Sequence, residues 1–195
     1  MIKNICVFCS SSDALNEEFY HEAEMLAARM LEESFELVYG GARVGMMGRI
    51  ARRMSENGAK VTGVIPELIY NKNIAEHSVN LIVTEDMKSR KAKMAEMADA
   101  FVALPGGFGT LEELCEVITL KQLEYHQKPV VLVNTAGFYD RLLDFFEVFY
   151  QNSFAKSDYR GLYYVAGSSS DAIDYIKSYK PVSLESKWYK ANLNL

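Results

Sequence analysis

Short apolar runs alternate along the whole chain with stretches long enough to be amphipathic helices, and this alternation leaves few folds open. The runs are "NICVFCS" (4–10), "ELVYGG" (36–41), "KVTGVIP" (60–66), "VNLIVTE" (79–85), "DAFVALP" (99–105), "KPVVLVN" (128–134) and "GLYYVAG" (161–167). They lack a polar residue at every second position, so they read as strands buried on both faces. Helices are predicted between them over Asn16–Glu32, Val44–Asn57, Met87–Met97, Leu111–Tyr125, Phe138–Gln151 and Ser169–Ser178. In the first, Phe19, Ala23, Leu26, Ala27 and Met30 recur at helical spacing.

Buried strands separated by helices join through right-handed crossovers into a parallel sheet. The expected fold is a single Rossmann-like, doubly wound α/β domain, its mainly parallel sheet flanked by helices, over residues 1–178. A chain of 195 residues is long enough for one such core and short for two. Residues 179–195 read as a polar tail that either frays or packs on a partner through Trp188 and Tyr189.

A formal net charge of −5 argues against non-specific nucleic-acid or membrane binding, both of which need a basic surface. The three cysteines, Cys6, Cys9 and Cys115, make no disulfide framework, which points to a reducing cytoplasm. Cys6 and Cys9 spell C-x-x-C within a strand, where residues three apart face opposite ways, so they read as core rather than as a redox pair. No signal peptide or membrane-length apolar run is seen. His21, His77 and His126 follow no metal-ligand spacing and read as surface residues; neither metal nor cofactor is expected.

Ligands of doubly wound sheets bind beyond the carboxyl ends of the strands. "CSSSD" (9–13), "GGARVGMMG" (40–48), "TEDMKSRK" (84–91) and "PGGFGTLEE" (105–113) all lie there and should line one crevice. Ser10, Gly41 and Gly45 are binding candidates from the first two. The glycines of the second segment serve either close packing or a backbone amide cradle. In the fourth, Gly106, Gly107 and Gly109 open a helix beside Thr110, an arrangement suited to a monophosphate. There is no lysine of Walker type after these glycines. Glu113 either closes a capping box with Thr110 or faces the crevice as a base or charge stabiliser. Arg90 sits near Met87, Met94 and Met97 on one helix face, either snorkelling or gripping an oxyanion or purine edge.

"PGGFGTLEE" matches P-G-G-x-G-T-x-x-E and "MKSRK" (87–91) matches M-x-x-R-K. Together they resemble the signature of the Lonely Guy (LOG) family, cytokinin riboside 5′-monophosphate phosphoribohydrolases whose members are often labelled lysine decarboxylases. The resemblance runs over nearly the whole chain to about residue 178. Positions 88 and 89 are Lys and Ser where many members have His and Glu, and the second-strand loop is G-G-A rather than G-G-G. The resemblance implies a Rossmann-like homodimer with its active site near the interface. It also implies metal-free hydrolysis of the N-glycosidic bond of a purine nucleoside 5′-monophosphate. Arg90 and Glu113 match the family's catalytic pair. Arg90, Lys91, the loop Gly106, Gly107, Phe108, Gly109, Thr110, Leu111 and Glu112, and Thr119 match its substrate-binding positions. A non-catalytic nucleotide or molybdenum-cofactor carrier of the same fold is the competing reading.

Overall fold

The computed structural model describes residues 2–182. The chain alternates β1 (Asn4–Phe8), α1 (Glu17–Glu32), β2 (Glu36–Tyr39), α2 (Gly45–Glu56), β3 (Val61–Pro66), the single turn α3 (Glu67–Tyr70), β4 (Asn80–Thr84), α4 (Met87–Met97), β5 (Ala100–Ala103), α5 (Phe108–Gln122), β6 (Val130–Val133), α6 (Asp140–Gln151), β7 (Tyr164–Ala166) and α7 (Ser169–Ser178). All pairings are parallel, in the order β4-β3-β2-β1-β5-β6-β7. The doubly wound reading is therefore correct. The tail, with Trp188 and Tyr189, falls largely outside the described residues.

Side chains of β1 alternate between two cores, as the pleat requires. Ile5 and Val7 join Leu26 and Met30 of α1, Ile50 and Met54 of α2, and Ile173 and Ile176 of α7. Cys6 and Phe8 join Met94 of α4, Leu114 and Val117 of α5, Phe101 and Leu132. Cys6 and Cys9 lie in different cores, and both are buried free thiols.

Burial on both faces holds for the inner strands but not for β4, where Asn80 and Val83 are exposed, nor for β7, where Val165 is exposed. β4 and β7 each have one neighbour, β3 and β6, and form the two edges of the sheet. His126 is also not a surface residue. It is half-buried against the Phe101 ring, with centroids 5.4 Å apart. Its Nε2 lies 3.0 Å from the Val117 carbonyl, which can only accept, and its Nδ1 accepts from the Lys128 amide. Burial pushes its pKa down to about 4, so the ring is neutral at neutral pH.

The switch point of the sheet, where the strand order reverses, lies between the paired strands β1 and β5. The ladder continues just past the strands, with the Leu104 amide bonded to Phe8 and the Ser10 amide to Pro105. The chain then departs in opposite directions, into α1 on one face and α5 on the other, leaving a crevice.

Candidate active site

The crevice holds a cavity of about 510 Å³. Cys9, Ser10, Ser11 and Ser12 line it after β1, Gly40, Ala42 and Met47 after β2, and Pro66, Ile69 and Ile74 after β3. Met87 and Arg90 close it from α4, and Gly107, Phe108, Gly109, Thr110 and Glu113 from α5. The four segments expected from sequence meet there. The segment after β3 was not anticipated, although the carboxyl-end rule that selected the other four applies to it equally.

The two glycine-rich helix starts differ. At α2 the Gly45 amide donates to Asp13 Oδ1 (2.7 Å) and the Met46 amide to the Ser10 carbonyl (3.0 Å). This end is filled by the chain itself, so it is no anion cradle. Gly41 and Gly45 have φ of +78° and +59° and lie behind the cavity wall, where a Cβ on Gly45 would overlap the Ser10–Ser12 backbone. At α5 the N-cap is Gly107, without a side-chain cap. The Phe108, Gly109 and Thr110 amides have no hydrogen-bond partner among the described residues. Gly106 sits against Thr110, whose hydroxyl a Cβ there would overlap. α5 thus offers an open, positively polarised end facing the cavity.

The capping-box reading of Glu113 fails. Thr110 lies inside α5, three residues past the cap, and Glu113 is turned to Arg90. Arg90 stands in the first turn of α4, which Asp86 caps by accepting from the Ser89 amide at 2.7 Å. Its Nη1 donates to Glu113 Oε1 at 2.6 Å and its Nε to the Val64 carbonyl at 2.9 Å. Arg90 is 7% exposed and Glu113 8%, so both polar heads sit within the wall rather than in bulk water. Burial raises the Glu113 pKa above the ordinary carboxylate value, outweighing the attraction of Arg90. Of the five guanidinium N–H groups, two are used on the described residues, leaving three for a ligand.

The other carboxylate of the motif is neutralised separately. Lys91 is half-buried and pairs with Glu112 and, at 3.3 Å, with Glu116, and the Glu112 hydrogen bond raises its pKa. The two acids that follow the glycines are thus paired with different cations, Glu113 with Arg90 and Glu112 with Lys91, which also serves Glu116. Lys91, Leu111, Glu112 and Gly106 stand beside the cavity without lining it. Thr119 is exposed further along α5, away from it. Among the described residues no group of three or more His, Cys, Asp or Glu is placed to hold a metal. No helix among them is long and apolar enough to cross a membrane.

A family model described as possible lysine decarboxylase matches residues 47–176. The chain is 42% identical over 181 residues to the cytokinin riboside 5′-monophosphate phosphoribohydrolase LOG2 of Arabidopsis thaliana, covering 92% of this chain and 84% of that protein. It is 40% identical over 194 residues to the probable phosphoribohydrolase LOGL1 of Oryza sativa subsp. japonica, covering 97% and 87%. The molybdenum cofactor binding protein of the phototrophic bacterium Rippkaea orientalis shares the fold, with a TM-score of 0.70 at 22% identity over 91% of this chain and 97% of that one. With a family model over most of its length and relatives of this closeness, the chain belongs to the Lonely Guy family of cytokinin riboside 5′-monophosphate phosphoribohydrolases.

Proposed function

We propose that this protein hydrolyses the N-glycosidic bond of purine nucleoside 5′-monophosphates, cytokinin-type or AMP, to free base and ribose 5-phosphate. The observation that carries the reading is a buried Arg90–Glu113 pair beside an unfilled helix N-terminus in one cavity. The 5′-phosphate takes the free amides of Phe108, Gly109 and Thr110 and the Thr110 hydroxyl. The phosphate fixes the sugar, so binding energy remote from C1′ orients the reacting bond. The Glu113 carboxylate stabilises the oxocarbenium-like charge and takes a proton from the attacking water. The water oxygen bonds C1′, the C1′–N bond breaks with its electron pair going to the purine nitrogen, that nitrogen takes a proton from solvent, and Glu113 returns its own proton to solvent. The spare N–H groups of Arg90 stabilise the leaving base. Ser10 lies across the cavity as a further hydrogen-bonding group.

Decarboxylation of lysine by pyridoxal phosphate does not fit these residues. It needs a lysine amine in the pocket, and no lysine is among the residues lining the cavity. A buried acid paired with an arginine inside the cavity suits an enzyme better than a carrier. The test is incubation with AMP and with isopentenyladenosine monophosphate, monitored for free base and ribose 5-phosphate. Release of both products from either nucleotide is the expected result. Absence of both products with both nucleotides would sink the reading.

The homodimer belongs to the same proposal. α5, α6 and their flanking loops expose Phe108, Tyr125, Phe145, Val148 and Phe154, large apolar side chains that a second copy of the chain would cover. Thr119 lies on α5 outside its own cavity, so a substrate contact by Thr119 would be to the partner's nucleotide. Gly41, Gly45 and Gly106 act behind the wall, and Lys91 and Glu112 beside it. Sedimentation at twice the 22.0 kDa chain mass is expected, and a monomer at micromolar concentration would refute it. Three free thiols suit a reducing cytoplasm.

A further inference from the structure

The glycine at position 40 has no backbone reason to be a glycine. Gly41 and Gly45 sit at positive φ, where other residues are strained, whereas Gly40 does not. It follows directly on β2 and lines the cavity with Arg90. A Cβ built on it would overlap Arg90 Nη2, come within 2.9 Å of Met47 Sδ, and lie 3.6 Å from Arg90 Cζ. The bare Cα of Gly40 is therefore the third support of the guanidinium. The Val64 carbonyl fixes Nε, Glu113 fixes Nη1, and Gly40 admits Nη2 to the wall. Three different elements, β3, α5 and the end of β2, converge on one side chain carried by a fourth, α4.

We infer that Gly40 is a positioning residue for Arg90. It sets where Nη2, the guanidinium nitrogen with no acceptor among the described residues, meets the substrate. The inference rests on the proposed hydrolysis and adds a residue to it. Alanine at 40 leaves the main chain unstrained and displaces the end of one side chain. Because that end is pinned on two other sides, the guanidinium must either rotate or give up a hydrogen bond. The fold tolerates such a change far better than the chemistry does. A misplacement on the order of 1 Å at a reacting group costs about 100-fold in rate.

The experiment is a double-mutant cycle of Gly40→Ala and Arg90→Lys, with single-turnover release of base from isopentenyladenosine monophosphate as one readout. The second readout is the Arg90 Nε–H resonance in an NMR spectrum, assigned by its loss in Arg90→Lys. Gly40→Ala is expected to lower the single-turnover rate about 100-fold, to leave the thermal midpoint within a few degrees, and to shift the Arg90 resonance. Lysine has no Nη2, so in the Arg90→Lys background Gly40→Ala should change the rate less than threefold. Losses that multiply in the double variant, or an unmoved Arg90 resonance in Gly40→Ala, overturn the inference. Should the wild type release no base, the hydrolase reading fails by itself, and the resonance still decides whether Gly40 positions Arg90.

Discussion

Glu113→Gln is expected to slow base release about 1,000-fold while the fold persists. Glutamine keeps the shape and the acceptor that Arg90 Nη1 uses at 2.6 Å, so the wall is preserved. What it loses is the negative charge, which is what an oxocarbenium-like centre and an attacking water require. The pH dependence separates this role from a merely structural one. The active form is the carboxylate, and burial holds its pKa above the ordinary 4.5. The wild-type rate should therefore fall on acidification with a midpoint above 4.5, and the residual rate of the variant should lack that step. A variant with wild-type turnover, or with the same acid limb, would remove Glu113 from the chemistry.

Where the sequence was legible, local chemistry and tertiary structure agreed. α4 and α7 run over the residues expected of them, because Asp86 and Ser168 supply true side-chain caps to the amides of Ser89 and Asp171. α5 begins at Phe108 rather than Leu111 for the opposite reason. Its cap is a glycine with no side chain to announce it, while Thr110 and Glu113 imitate a capping box one turn too late. The imitation arises because Glu113 is reserved for Arg90, an interaction across 23 positions that no local pattern encodes. The two glycine loops were likewise indistinguishable by composition. Asp13, reaching the Gly45 amide from another loop, fills one and leaves the other open. The apolar wall of Pro66, Ile69 and Ile74 carries no motif of its own: only Ile69 lies in α3, a single turn with no periodicity to detect, and the carboxyl-end position of the segment is its one signal.

Replacing both members of the pair, Arg90→Met with Glu113→Leu, is expected to stabilise the protein by about 1–4 kcal/mol and to abolish activity. Two opposite charges within a protein wall attract, but taking each from water costs more than the attraction returns unless further partners satisfy them. Glu113 has one hydrogen-bond partner among the described residues, Arg90, and its pKa is raised, so the folded state disfavours its charged form despite the ion pair. The sign follows. The folded pKa lies above the unfolded one, so the stability Glu113 contributes is full below the unfolded value. It is lost as pH rises through the folded value. The gain of the double variant should accordingly be larger at pH 7 than at pH 4. Arg90→Ala alone should go the other way and cost about 3–5 kcal/mol, because it strands a buried carboxylate and empties the wall. Denaturant unfolding of the three proteins at both pH values checks the pattern. A double variant less stable than wild type at pH 7 would mean that the pair holds the fold together. The expected order means instead that the fold carries a destabilising pair, and catalysis is then the property that keeps it there.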